Sequence, residues 1–129
     1  MECAITVPFK LESSELCTVK LSRIVTAKIP HTCTECGEII NIGYDYLVDV
    51  IYLKDKMYVS KTCEHCLSVC QVFFSSGWIY GQIWRDLAKF VIFSQGELAS
   101  AQIIQLTPIA KGRVCDMIDT YFHQTNQDE

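Results

Sequence analysis

The sequence predicts an α+β protein: a cysteine-centred module of turn, β-hairpin and helix, with an N-terminal strand region before it and a C-terminal helical subdomain after it. Three observations predict this. Two Cys-x-x-Cys pairs, Cys33/Cys36 and Cys63/Cys66, are separated by 26 residues. The segment between them is rich in tyrosine, valine and isoleucine. Behind the second pair the apolar residues recur at helical spacing almost to the end of the chain. At 129 residues, half of them hydrophobic, the chain has the size and composition of a single domain, residues 1–129, with an ordinary core.

The N-terminal stretch Leu16 to Ile29 alternates loosely, with Cys17, Val19 and Leu21 on one face, and is expected to add one or two strands. Next comes Cys33-Thr34-Glu35-Cys36, followed at once by Gly37, the pattern of a tight turn that binds one metal ion with two thiolates. Tyr44 to Tyr52 and Met57 to Thr62, interrupted by Lys54-Asp55, read as a hairpin. Leu67, Cys70, Phe73 and Phe74 then place Cys63 and Cys66 at the start and first turn of a helix. The positive end of that helix favours thiolates.

Two such pairs complete a tetrahedral four-sulfur shell with no open position, so Cys33, Cys36, Cys63 and Cys66 are the expected ligands of one structural Zn2+ ion, within a metal-binding module spanning 30–75. A thioredoxin-like redox pair is the rival reading, but it occurs once and beside a βαβ pattern. Iron is a second metal that four thiolates accommodate. The order turn, hairpin, helix resembles the treble-clef zinc fold. Cys70, one helical turn beyond Cys66, is read as a core residue, and Cys3, Cys17 and Cys115 as buried thiols without ligand spacing. His31 and His65 flank the site; either could replace a cysteine as ligand, but four thiolates already satisfy the ion, so both are expected to support the ligands from outside or to lie on the surface.

The helical extension spans 77–122. Tyr80, Trp84, Leu87 and Val91 form an apolar stripe on a helix expected to begin near Gly77. Trp78, Tyr80 and Trp84 are assigned to core packing, with an aromatic binding patch as the alternative. Ser94 to Gln105 is a shorter helix candidate carrying Leu98, Ala101 and Ile104 on one face. Thr107-Pro108 supplies an N-cap and a proline at the first position of a last helix, with Val114, Ile118 and Tyr121 inward and Asp116 and Asp119 outside. His123 to Glu129 reads as a frayed polar tail.

Composition narrows the function. No basic, apolar leader opens the chain and no window reaches about 18 apolar residues, so a soluble cytoplasmic protein with reduced cysteines is expected. The formal net charge is −4, and residues 1–32 hold four basic and three acidic groups, 33–75 three and six, and 76–129 four and six. No segment is a basic arm, which weighs against nucleic-acid binding; Lys20, Arg23 and Lys28 are the nearest approach to a patch. No Ser-His-Asp set, phosphate-binding glycine loop or open metal site can be assembled, so the chain is read as non-enzymatic. A metal-dependent nuclease is disfavoured because His31, His65 and His123 show no suitable spacing.

The motifs beginning His31-Thr-Cys-Thr-Glu-Cys-Gly-Glu, Lys61-Thr-Cys-Glu-His-Cys, Tyr80-Gly-Gln-Ile-Trp-Arg-Asp-Leu and Leu106-Thr-Pro-Ile-Ala-Lys-Gly-Arg-Val-Cys-Asp-Met-Ile resemble small, four-cysteine zinc proteins encoded by bacteriophages and prophages, over roughly residues 28–122. The resemblance implies the cytoplasm of a bacterial host and supplies no catalytic residues. With the acidic charge it leads to the expected function: a protein-binding regulator that inhibits or modulates a bacterial nucleic-acid machine, anti-CRISPR or other anti-defence action being one case. Its partner would be a host protein or nucleoprotein complex. Glu35, Glu38, Asp45, Asp49, Asp116 and Asp119 are the candidate contacts for a basic groove. A nucleic-acid-binding zinc finger is the alternative.

Overall fold

The computed structural model describes residues 3–5, 17–53 and 56–127. The expected turn at Lys54-Asp55 lies outside the described residues, as do the side chains of Cys3, Cys17 and Lys20. The fold mixes helix and strand. Three antiparallel strands, β2 (Cys17–Thr26), β5 (Asp45–Leu53) and β6 (Lys56–Cys63), form the main sheet in the order β2-β5-β6. The hairpin β5–β6 pairs Tyr46 with Cys63 and Leu53 with Lys56, in agreement with the β-branched and tyrosine-rich pattern. A bulge in β2 puts Val19 opposite Ile51 but Leu21 opposite Val50. Two residues that looked in phase by simple alternation are therefore out of phase, because a bulge adds one unpaired residue.

The short strands β3 (His31–Thr32) and β4 (Ile39–Ile40) flank the first cysteine pair. The helix α1 (Glu64–Phe73) leaves β6 directly and packs on β5 and β6. Its Val69 and Cys70 are fully buried, so Cys70 is a core residue as expected. The helices α2 (Ile83–Phe93) and α4 (Pro108–Gln127) pack against α1 and against each other, while α3 (Ser100–Ile103) is a single turn between them. The core runs through all these layers: Tyr46 from the sheet, Val69 from α1, Ile83 and Leu87 from α2, and Ala110 and Val114 from α4.

Three boundaries differ from the sequence reading. Trp78–Tyr80 is not the start of a helix but a strand, β7, paired in parallel with β1 (Cys3–Ile5). Gly77 and Gly81 have φ of 137° and 84°, a region closed to most side chains, and they bracket the strand so that α2 begins only at Ile83. Tyr80 and Trp84 are both buried, consistent with core packing. The shorter candidate helix contracts to α3 because Gln95 and Gly96, both at positive φ, interrupt its first half. At the other end α4 continues to Gln127, beyond the expected fraying at His123. Its start is as read from Thr107-Pro108: the Thr107 hydroxyl accepts the amide of Ala110 at 3.3 Å.

Asp49 departs from the sequence expectation. Expected to be an exposed contact residue, it is fully buried in the centre of β5. The register places it between Ser22 on β2 and Ser60 on β6. Neither carboxylate oxygen meets a partner at good hydrogen-bond geometry, although the hydroxyls of Ser22 and Tyr80 lie close enough to favour the ionised form. Burial dominates and raises its pKa above the ordinary carboxylate value. The folded chain therefore binds this proton more tightly than the unfolded chain does. Stability is lost as pH rises from the unfolded pKa through the raised folded one, and it stays reduced above. Asp49→Asn removes the titration, and its amide has the unpartnered hydroxyls of Ser60 and Thr62 nearby on the strand it faces. The variant is expected to melt above the parent at pH 7, with the difference shrinking towards pH 4. A variant that melts lower at pH 7, or whose advantage grows on acidification, would show that the ionised carboxylate is a stabilising group.

Candidate metal centre

Each cysteine is positioned by its own local device. After Cys36 the chain turns through Gly37 at φ 74°, and the Gly37 amide donates to the Cys33 carbonyl at 3.0 Å. The Cys33 amide donates to the Glu38 carbonyl at 2.9 Å, which closes the turn. This turn is fastened to the hairpin through Thr34: its amide donates to the Lys61 carbonyl at 2.7 Å and its hydroxyl accepts the Lys61 amide at 2.9 Å. Cys63 ends β6 and serves as the N-cap of α1, where its sulfur accepts the Cys66 amide at 3.5 Å. Cys66 lies in the first turn, so the helix N-terminus faces the cluster.

The four sulfurs all lie within 4.8 Å of one another. Cys33 and Cys66 are 3.8 Å apart, and Cys36 and Cys63 are 3.9 Å apart. A tetrahedral ion with metal–sulfur bonds of about 2.3 Å separates its sulfurs by about 3.8 Å. A disulfide would require about 2.05 Å. The donor set thus fits a four-coordinate soft ion, and none of Cys33, Cys36, Cys63, Cys66, Cys70 and Cys115 is in a disulfide. The same crowding sets the thiol acidities. The Cys63 and Cys66 thiols stabilise negative charge on Cys33 and hold its pKa well below the ordinary thiol value, helped by the Cys63 amide at 3.4 Å. By the same hydrogen bond to Cys33, the Cys63 thiol is pushed up to about 12 and that of Cys66 is also raised. Metal binding must displace these protons.

Two groups around the sulfurs carried no local signal in the sequence. The indole N–H of Trp84, on the first turn of α2, donates to the Cys66 sulfur at 3.2 Å. The guanidinium of Arg113 on α4 covers the Trp84 ring at 3.9 Å from its centroid. His31 lies outside the sulfur cluster: its Nδ1 lies 3.0 Å from the Lys61 ammonium, which donates to it, leaving Nε2–H to donate to the Tyr46 hydroxyl at 3.1 Å. His65 likewise engages the Thr107 hydroxyl at 2.7 Å and ties α1 to the start of α4.

Glu35, expected at a partner contact, acts within the fold. Its carboxylate accepts the amides of Gly81 at 2.6 Å and Ile83 at 3.1 Å. Gln82, at the N-cap position of α2, makes no capping bond through its side chain, so a residue of the metal turn caps that helix instead. Burial raises the Glu35 pKa and the two amides counteract this. Glu35→Ala is expected to cost about 1.5–3 kcal/mol, the range for hydrogen bonds to a charged group, and to increase hydrogen exchange at the α2 N-terminus. Glu35→Gln, whose amide oxygen can accept only part of this pair, should lie between. Unchanged exchange at Gly81 and Ile83 in the alanine variant would rule out the cap. Of the other candidate contacts, Glu38, Asp45, Asp116 and Asp119 are exposed.

No family model matches the chain, and neither a curated protein nor a solved structure does. The class that the fold and site define is that of a mixed helix-and-strand protein whose four clustered cysteines could hold a metal ion. No helix among the described residues is long and apolar enough to cross a membrane.

Proposed function

We propose that the chain is a non-enzymatic, zinc-stabilised protein-binding regulator built on a treble-clef-like module. The observation that carries this reading is the closed cluster of four sulfurs. An ion held by all four has no position left for water or substrate, so it serves shape and not chemistry. The order of tight turn, hairpin β5–β6 and α1, with Cys63 at the helix N-cap, supports the treble-clef comparison. Zinc is the proposed ion, and metal analysis of the purified protein distinguishes it from iron. Exposed acids on two separate elements and a net charge of −4 support binding to a basic surface. With the motif resemblance, this points to a phage-encoded protein in a bacterial cytoplasm. It would act on a host protein or nucleoprotein complex that handles nucleic acid, anti-defence action included.

Affinity capture of the tagged, zinc-loaded chain from a bacterial lysate, with and without nuclease, tests the reading. One host protein retained at stoichiometric level after nuclease is the expected result. Retention of nucleic acid alone, lost at high salt, would favour the zinc-finger alternative, for which the exposed Arg23 and Lys28 on and after β2, together with Lys20, are the residues to substitute. Metal-dependent cleavage of DNA or RNA by the purified chain would overturn the non-enzymatic reading.

A further inference from the structure

A groove of about 530 Å³ opens directly over the metal centre, between the first cysteine turn and α4. Cys36, Cys63 and Cys66 lie in its lining together with the Trp84 ring. Its flanks carry large apolar side chains left open to solvent: Ile39 is 57% exposed, Tyr44 54% and Ile109 66%. Water-facing isoleucines are ordinary when scattered, but three large apolar groups around one concavity form a patch suited to an apolar side chain.

Charge selects the kind of segment that fits. Glu38, Asp45 and Glu64 line the same groove against one arginine. That arginine, Arg113, is laid over Trp84, and His65 is engaged by Thr107, with Glu64 3.9 Å from its other nitrogen. Asp45 accepts a hydrogen bond from the Thr26 hydroxyl at 2.6 Å. Three carboxylates against one guanidinium leave two negative charges. The floor adds more of the same sign when loaded, because a divalent ion held by four thiolates carries a formal charge of two minus. An acidic or nucleic-acid ligand is repelled by such a site, and a cationic one is attracted.

We infer that this groove is the docking site for a basic peptide segment of a protein partner, with one large apolar side chain seated between Ile39 and Ile109 and flanking lysine or arginine meeting Glu38, Asp45 and Glu64. The inference rests on the protein-binding reading above and names the surface and partner chemistry for it. Ile109 sits on the exposed side of α4 and Glu38 on the rim, so Ile109→Glu and Glu38→Lys should leave zinc content and melting close to the parent.

The test selects dodecapeptides from a random display library on the zinc-loaded chain of residues 1–129 and measures the affinities of synthetic copies. Enriched peptides should combine one bulky apolar residue with neighbouring lysine or arginine. Ile109→Glu and Glu38→Lys should each weaken them by about tenfold or more, the equivalent of about 1.4 kcal/mol. Affinity should also fall as salt rises. Failure to enrich any peptide, enrichment of acidic or uncharged ones, or affinities unmoved by both variants would overturn the groove. Concentration-dependent dimerisation abolished by Ile109→Glu would overturn it too, by showing a second copy to be the occupant. Lysate capture separates the two readings. A host protein retained equally by parent and Ile109→Glu removes the groove but keeps the regulator, whereas a parent that retains only nucleic acid removes the regulator itself.

Discussion

Replacing Cys66 with serine will unfold at least residues 30–75. Cys66 is fully buried, its sulfur lies 3.8 Å from that of Cys33, and the Trp84 indole donates to it. A serine hydroxyl is a poor ligand for a soft ion, so the shell is left with three thiolates and a buried polar group. Structural zinc contributes roughly 10–16 kcal/mol of apparent binding energy in small modules at neutral pH. Whole domains are stable by only about 5–15 kcal/mol, so the loss of most of that term exceeds what the core can absorb. The same holds for Cys33, Cys36 and Cys63 and for removal of the ion by a chelator. The expected result is loss of near-UV circular dichroism and of a cooperative melt. Because Glu35 on the metal turn caps α2, the amides of Gly81 and Ile83 should also exchange faster. A quadruple serine variant with unchanged spectra and melting would show that the fold does not depend on the site.

The second large effect is expected at Trp84. This residue fills the space between α2 and the cluster, donates to the Cys66 sulfur and carries the Arg113 guanidinium on its face. Trp84→Ala should cost about 3–5 kcal/mol through lost burial and the cavity left behind. At about 2–8 °C per kcal/mol for domains of this range, the melting temperature should drop by roughly 10 °C or more. Trp84→Phe keeps most of the apolar volume and removes only the N–H. It should therefore melt closer to the parent yet hold zinc about 10–100-fold more weakly, as is usual when a group that hydrogen-bonds a ligand is lost. Chelator competition measures this. Equal zinc affinity in the phenylalanine variant would reduce the indole to a packing role.

The features that could be read from the chain are those with a local cause. The Cys-x-x-Cys spacing and the glycine behind it place two sulfurs on one turn. The valine, isoleucine and tyrosine pattern gives the hairpin. Thr107-Pro108 marks the start of α4 because a cap and a proline act within one helical turn. Structure and local pattern part where a long-range contact replaces a local preference. Tyr80, Trp84, Leu87 and Val91 are all buried, so the apolar stripe was real, but Tyr80 belongs to a strand paired with Cys3–Ile5. No local period announces a parallel partner from the opposite end of a module. Glu35 and Asp49 looked like surface acids by composition. The first is drawn in by backbone amides 46 and 48 positions away, and the second is enclosed by the elements packed on β5.

Local chemistry along the chain is enough to single out the four cysteines and the turn, hairpin and helix that carry them, since cysteine spacing, glycine conformation and strand period act over a few residues. Tertiary structure alone decided that the metal turn caps α2, that Trp84 reaches Cys66, and that Ile39, Tyr44 and Ile109 surround one acidic groove. These arrangements depend on side chains brought together from elements distant in the chain, and packing of whole layers, not local preference, sets their distances.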